Sequence, residues 1–291
     1  MTSQTRLAVF AWVAVCLLWG TTYLGIRIAL ETIPPMLMGG FRWTIAGALL
    51  LGAMALRGDD MPGPKQWPSL SLLGFLLIGL GNGGVVWAEQ TLPSGLTAVL
   101  VAVTPFWMVG VERLAGGPVE RLTAPRVTGL LVGFAGIVLL VWPELEFGRG
   151  AAFLVGVAAT QIASVGWAIG SSYSRRRRPS ENVLAVAAFQ MFFGGVIMLV
   201  AGLVLGEWSH LAFSVRSGSA LVYLLLFGAI GGFSCYAYAL KHLPLTLVSL
   251  YAYVNPVIAM VLGTLVLGEP MSARIVVAGG IVLGGMALVR R

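Results

Sequence analysis

Three groups of side chains in this sequence have types and spacing that could do chemistry. Trp19, Tyr23 and Arg27 stand at i, i+4 and i+8, so a helix presents them as one stripe with a cation at its end. Aromatic rings beside a guanidinium suit an organic acid with an apolar body. The plainer reading is helix packing, with Arg27 reaching toward polar headgroups. Arg42 lies six residues inside an apolar run that begins at Met36, roughly 9 Å along a helix at 1.5 Å per residue. A guanidinium at that depth needs water, protein or a partner. Glu89, closing another apolar run, is the candidate for an ion pair that shuts one side of the molecule. Direct capture of a substrate carboxylate by Arg42 is the competing role.

Prolines form the second group. Pro105 and Pro256 interrupt apolar runs, and each frees the carbonyl four residues earlier, at Val101 and Ala252. Thr104 and Asn255 stand immediately before them and can bond those carbonyls, a neighbouring helix or a solute. The third group comprises Asn82, Gln161, Ser164 and Ser171, neutral polar residues set among Trp87, Trp107, Trp167, Tyr238 and Tyr251. Packing between helices and the lining of a pathway both account for them. Glycines cluster at 79–84 and 228–232, where they permit close helix contact or bending.

The elements that must hold these residues are membrane helices. The chain has 291 residues, 58% hydrophobic and only 10% charged, with a mean hydropathy of +0.92, too apolar for a soluble globule of this size. Ten apolar runs recur, near 7–30, 36–56, 70–88, 96–114, 127–142, 151–173, 183–205, 220–240, 245–267 and 275–289. Most approach the ~20 residues that cross ~30 Å of hydrocarbon. The expected fold is therefore all-α, with ten transmembrane helices.

The runs also repeat. Gly20-Thr21-Thr22-Tyr23 returns as Gly170-Ser171-Ser172-Tyr173, Leu92-Pro93 to Pro105 returns as Leu243-Pro244 to Pro256, and Glu120 to Ala124 is echoed by Glu269 to Ala273. The offsets are 150, 151 and 149 residues. A five-plus-five duplication places an odd number of crossings in each half, so residues 1–149 and 150–291 are expected to be inverted repeats around a central cavity. Gln190 falls at the position equivalent to Arg42, which makes the halves chemically unequal. With ten helices, 13 of the 18 Lys and Arg fall on the side of the chain termini and three on the other. That bias makes both termini cytoplasmic, and it accounts for most of the +7 net charge without nucleic acid. The Arg175 to Arg178 run reads as an anchor at anionic headgroups.

Taken together, Leu18-Trp19-Gly20-Thr21-Thr22-Tyr23, Phe41-Arg42-Trp43, Ser249 to Pro256 and Leu267-Gly268-Glu269-Pro270 resemble the EamA-type exporters of the drug/metabolite transporter superfamily. The resemblance covers essentially the whole chain. It implies ten helices in two inverted five-helix repeats, a central cavity, and export of amino acids or other small metabolites. One departure stands out: small multidrug exporters of that superfamily couple to protons through a glutamate in their first helix, and here no glutamate precedes Glu31.

An enzyme is disfavoured. The two histidines, His210 and His242, and the two aspartates, Asp59 and Asp60, fall in loops, and no nucleophile, acid–base pair or metal set converges. Cys16 and Cys235 offer no disulfide framework or metal spacing. No cofactor or metal is expected. The expected partners are a small-molecule substrate and membrane lipid, and the expected state a monomer or weak dimer in a bacterial-type cytoplasmic membrane. The favoured reading is a secondary transporter that exports neutral or hydrophobic amino acids by alternating access. A broad exporter of drugs, nucleobases or sugar-like metabolites, and a channel or non-transporting sensor, stay open beside it. For a transporter, the expected substrate wall is Trp19, Tyr23, Arg42, Asn82, Trp87, Trp107, Gln161, Trp167, Tyr238, Tyr251 and Asn255. Arg42, Glu89, Pro105 and Pro256 are the expected gate.

Overall fold

The computed structural model describes residues 3–115, scattered positions between 124 and 139, and residues 150–176, 182–249, 251–269 and 271–289. Among them there are helices and no strands. Seven helices are long and apolar enough to cross a membrane. They are α1 (Ser3–Ala29), α2 (Pro35–Arg57), α3 (Pro64–Ala88), α4 (Ser94–Leu114), α5 (Gly150–Arg175), α6 (Val183–Val204) and α7 (Val215–His242). Two shorter apolar helices follow, α8 (Tyr251–Leu267), preceded by the single turn Leu245–Val248, and α9 (Ala273–Val289). The fifth apolar run of the sequence is described only at scattered helical positions. The Glu120 to Thr123 stretch, Arg177, Arg178 and Pro270 lie outside the described residues.

The turns follow the local chemistry. Pro34-Pro35 and Pro93-Ser94 open α2 and α4, where a missing amide costs nothing because the first N–H groups of a helix have no intrahelical acceptor. Gly58 and Gly206, at φ 71° and 73°, follow the ends of α2 and α6, where the chain needs the left-handed conformation.

Both glycine clusters lie in or beside π-helical stretches, Phe75–Asn82 in α3 and Leu224–Phe233 in α7. Their i→i+5 bonding widens both helices there. The paired prolines behave less alike. α4 breaks at Ala102 and Val103 just before Pro105, while α8 runs on through Pro256. The carbonyl freed at Val101 accepts a bond from Thr104 Oγ1 at 2.6 Å.

Two helices from opposite halves, α2 and α6, cross at backbone contact. A Cβ on Gly47 would sit 2.4 Å from the Phe192 amide, and one on Gly195 2.3 Å from the Thr44 amide. Small residues of this kind let membrane helices approach closely where no hydrophobic force drives them together. Arg216 pairs with Glu31 at 3.0 Å at the end of the bundle where α1 finishes. At the other end, beside the N-terminus of α1, Arg176 pairs with Glu112 at 3.1 Å and Trp12 Nε1 donates to the Val248 carbonyl. The first end also holds Glu89, Glu207 and Glu269 and is called the glutamate end below.

Candidate functional site

Helices from both halves enclose a central cavity of about 60 Å³, room for about four to six waters at the ~10–15 Å³ that one requires. Seven of the residues expected at the substrate wall line it: Trp19 and Tyr23 from α1, Arg42 from α2, Asn82 from α3, Trp167 from α5, and Tyr251 and Asn255 from α8. Thr22, Trp43, Thr104 and Ser164 complete its polar and aromatic surface.

The rings form one connected group. Trp19 meets Trp167, Tyr236 and Tyr251 with centroids 5.4, 5.0 and 5.1 Å apart. Tyr236 lies 5.3 Å from Trp167 and 5.8 Å from Tyr251. Edge-to-face and tilted geometries of this kind add roughly 0.5–1.5 kcal/mol per pair beyond burial. The polar tips are bonded: Trp19 Nε1 donates to the Gly228 carbonyl at 3.1 Å, and Trp167 Nε1 donates to the Tyr236 hydroxyl at 3.0 Å. Ser171 shares a 2.7 Å hydrogen bond with that same hydroxyl. The rings are thereby held in place by bonds from three helices. Asn82 Oδ1 accepts from Trp43 Nε1 at 2.7 Å. With its amide oriented to suit its neighbours, Asn255 donates to the Cys16 and Tyr251 carbonyls at 3.1 Å.

Four expected wall residues lie elsewhere, each for a reason of helix phase or depth. Trp107 is 40% exposed and donates to Gln161 Oε1 at 3.2 Å; three residues past Thr104 it is about 60° off the cavity stripe, and Met108 is buried in its place. Gln161 is taken up by that bond and lies one residue off the buried Thr160–Ser164 stripe. Tyr238 stacks on His242 with centroids 4.2 Å apart. It is two residues, or about 200°, around α7 from the inward Tyr236. Trp87 lines a second space, a vestibule of about 1090 Å³ at the glutamate end that also borders Arg27, Glu31, Gln90, Glu207 and Glu269. Tyr236 was missed by sequence reasoning, although Gly232, four residues earlier on the same face, marks where Trp19 approaches α7.

The expected Arg42–Glu89 contact is absent. Arg42 is 1% and Glu89 0% exposed, yet Nε and Nη1 of the guanidinium and both carboxylate oxygens have no hydrogen-bond partner. Arg42 instead stacks over Trp43, 4.5 Å from the ring centroid. The Glu89 backbone carbonyl accepts a bond from Arg27 Nη1, so Arg27 is tied to the residue and not to its carboxylate. Glu89 is the first residue past the Pro64–Ala88 span. Burial pushes its carboxyl well above the usual range, against the opposing pull of Arg27, with Glu269 adding to the rise and Arg42 opposing it.

Two other glutamates at this end are fully engaged. Glu207 accepts from the Met36 and Leu37 amides at 3.2 and 2.9 Å. Glu269 accepts from the Ser94 amide and hydroxyl at 3.0 and 2.8 Å and from the Gly95 amide at 3.4 Å. Each carboxylate sits on the first turn of a helix, where unpaired N–H groups and the helix dipole favour an anion. Among the described residues no group of His, Cys, Asp and Glu is arranged to hold a metal ion.

Comparison with known proteins follows the same two-part organisation. The model described as EamA-like transporter family matches residues 6–142 and again 154–291. The chain is 36% identical over 277 residues to a protein of Escherichia coli strain K12 named uncharacterized inner membrane transporter YedA, covering 95% of this chain and 88% of that one. It is 24% identical over 285 residues to the uncharacterized transporter YoaV of Bacillus subtilis strain 168, with 94% and 93% covered. A solved structure described only as the crystal structure of a protein superposes with a TM-score of 0.72 at 23% identity. It covers 97% of this chain and 96% of that one, a likeness of fold alone.

Proposed function

The chain belongs to the EamA-like transporter family, and from that premise we propose that this multi-pass membrane transporter exports small metabolites by alternating access, with neutral or hydrophobic amino acids as its cargo. The observation that carries the reading is the central cavity, to which α1, α2, α3 and α4 contribute from one half and α5 and α8 from the other. A site shared between repeated halves is what rocking of one half against the other would expose alternately to each side. The complete architecture in this reading is ten helices in two inverted repeats, 1–149 and 150–291, with both termini cytoplasmic. The double match of one family model and the paired π-helical stretches support the repeats. The concentration of Lys and Arg away from the glutamate end supports the orientation.

The cargo class follows from the wall. Aromatic rings, a few neutral polar groups and one cation suit a zwitterion with an apolar side chain. The vestibule then lies on the outer side, as an exit route. Counterflow in proteoliposomes tests the reading: radiolabelled leucine should exchange against internal leucine, and more slowly against glycine. Exchange of nucleobases or sugars with no amino acid flux would replace the cargo assignment. Truncating Trp19 or Trp167 should slow leucine more than alanine, by on the order of 1 kcal/mol per lost aromatic contact.

A further inference from the structure

We propose that Arg42 is the carboxylate anchor of the central cavity, so that cargo binds by a monoanionic carboxylate at this guanidinium with its apolar body against Trp19, Trp167 and Tyr251. The inference rests on the transporter reading for its cargo but on the cavity alone for its chemistry. Arg42 borders the cavity and is 1% exposed, with Nε and Nη1 free of any hydrogen-bond partner. A buried cation without such bonds is far costlier than a paired one, and it gains most from an anion that can reach it.

Its geometry favours a carboxylate. Guanidinium N–H groups project as a planar fork that matches two carboxylate oxygens, and stacking on Trp43 at 4.5 Å fixes the plane of that fork. Gly228 leaves space for it, since a Cβ there would lie 2.6 Å from Nη2 and 2.8 Å from the Thr22 methyl. Arg42 is the sole charged residue among the described residues that line the cavity, so one negative charge is matched and a phosphate dianion is not. The Glu89 carboxyl makes no hydrogen bond to Arg42 and leaves the fork open.

Quenching of tryptophan fluorescence in the detergent-purified protein reads binding without requiring flux. Three probes of matched size separate the groups: leucine, 4-methylpentanoate, which keeps the carboxylate and lacks the amine, and leucinamide, which keeps the amine and lacks the carboxylate. Both carboxylates should bind about 10- to 100-fold more tightly than leucinamide, the range for a hydrogen bond to a charged group. Arg42→Gln should erase that preference, and Gly228→Ala, which keeps the charge but displaces Nη2, should reduce it. Thermal melting of each variant shows whether it is folded, and the wild-type probe series stands whichever variant fails. Equal binding of leucinamide and the carboxylates overturns the proposal, as does tighter competition by inorganic phosphate than by 4-methylpentanoate. Carboxylate-selective binding without counterflow would sink the transport reading and leave the anchor standing.

Discussion

Glu207 and Glu89 are both buried carboxylates at the same end of the bundle, 9% and 0% exposed, and they differ in almost everything else. Glu207 receives two backbone amides from the start of α2, and Glu269 receives three donors at the start of α4. Glu89 receives none at either oxygen. Burial alone therefore does not assign a role to a charged group in this protein. Where donors converge, the carboxylate closes a helix end and fastens two segments far apart in sequence. Where they do not, it is left as a group whose protonation is the cheapest way to remain buried.

The largest effect should come from cutting an engaged carboxylate. Glu207→Ala leaves two buried amides unsatisfied and should cost about 3 kcal/mol, seen as a clear drop in the melting temperature of the purified protein. Glu269→Ala should cost less, about 1–2 kcal/mol, because its site is partly open to the vestibule. Equal and negligible losses would remove the distinction between engaged and unengaged glutamates.

Glu89→Gln should change stability by less than about 1 kcal/mol at neutral pH while altering its pH dependence. A carboxyl raised above its ordinary value of 4.5 gives the folded state an advantage that is complete below that value and is lost as pH climbs toward the raised one. The wild-type melting temperature should thus fall as pH rises above about 4.5, and the Gln variant should show a flatter curve. Identical curves would mean that Glu89 is ionised and stabilised in place.

The smallest effect concerns Arg42 and Glu89 together. Since the two share no hydrogen bond, a cycle of Arg42→Gln, Glu89→Gln and the double variant should give only a weak through-space coupling, about 0.5 kcal/mol. A coupling of several times that size would restore the ion pair expected from their placement in the sequence.

The all-helical, membrane-crossing character is legible in composition and apolar run length, because crossing a membrane leaves its mark on the chain itself. The burial of Arg42 is legible from its depth beyond Met36, and the Trp19–Tyr23 stripe from helical phase. That Arg42 and Glu89 share no hydrogen bond is not legible, since it depends on how the helices carrying them pack. Phase errors explain most misplaced wall residues. Tyr238 and Trp107 carry suitable side chains on the wrong side of α7 and α4. Trp87 lies beyond a change in helical repeat that no pattern of apolar residues announces.

That change of repeat makes α3 a swivel. The turn that precedes it is fixed, because a Cβ on Gly74 would lie 2.7 Å from the Gln190 carbonyl and leave no room to slide. Shifting the hydrogen-bond register across Phe75–Asn82 by one residue would rotate everything past it by about 100° while advancing it only about 1.5 Å. What lies past it includes Val85 of the cavity wall, Trp87 of the vestibule and the buried Glu89. One crank of the helix would thus re-aim all three, with its far end almost stationary.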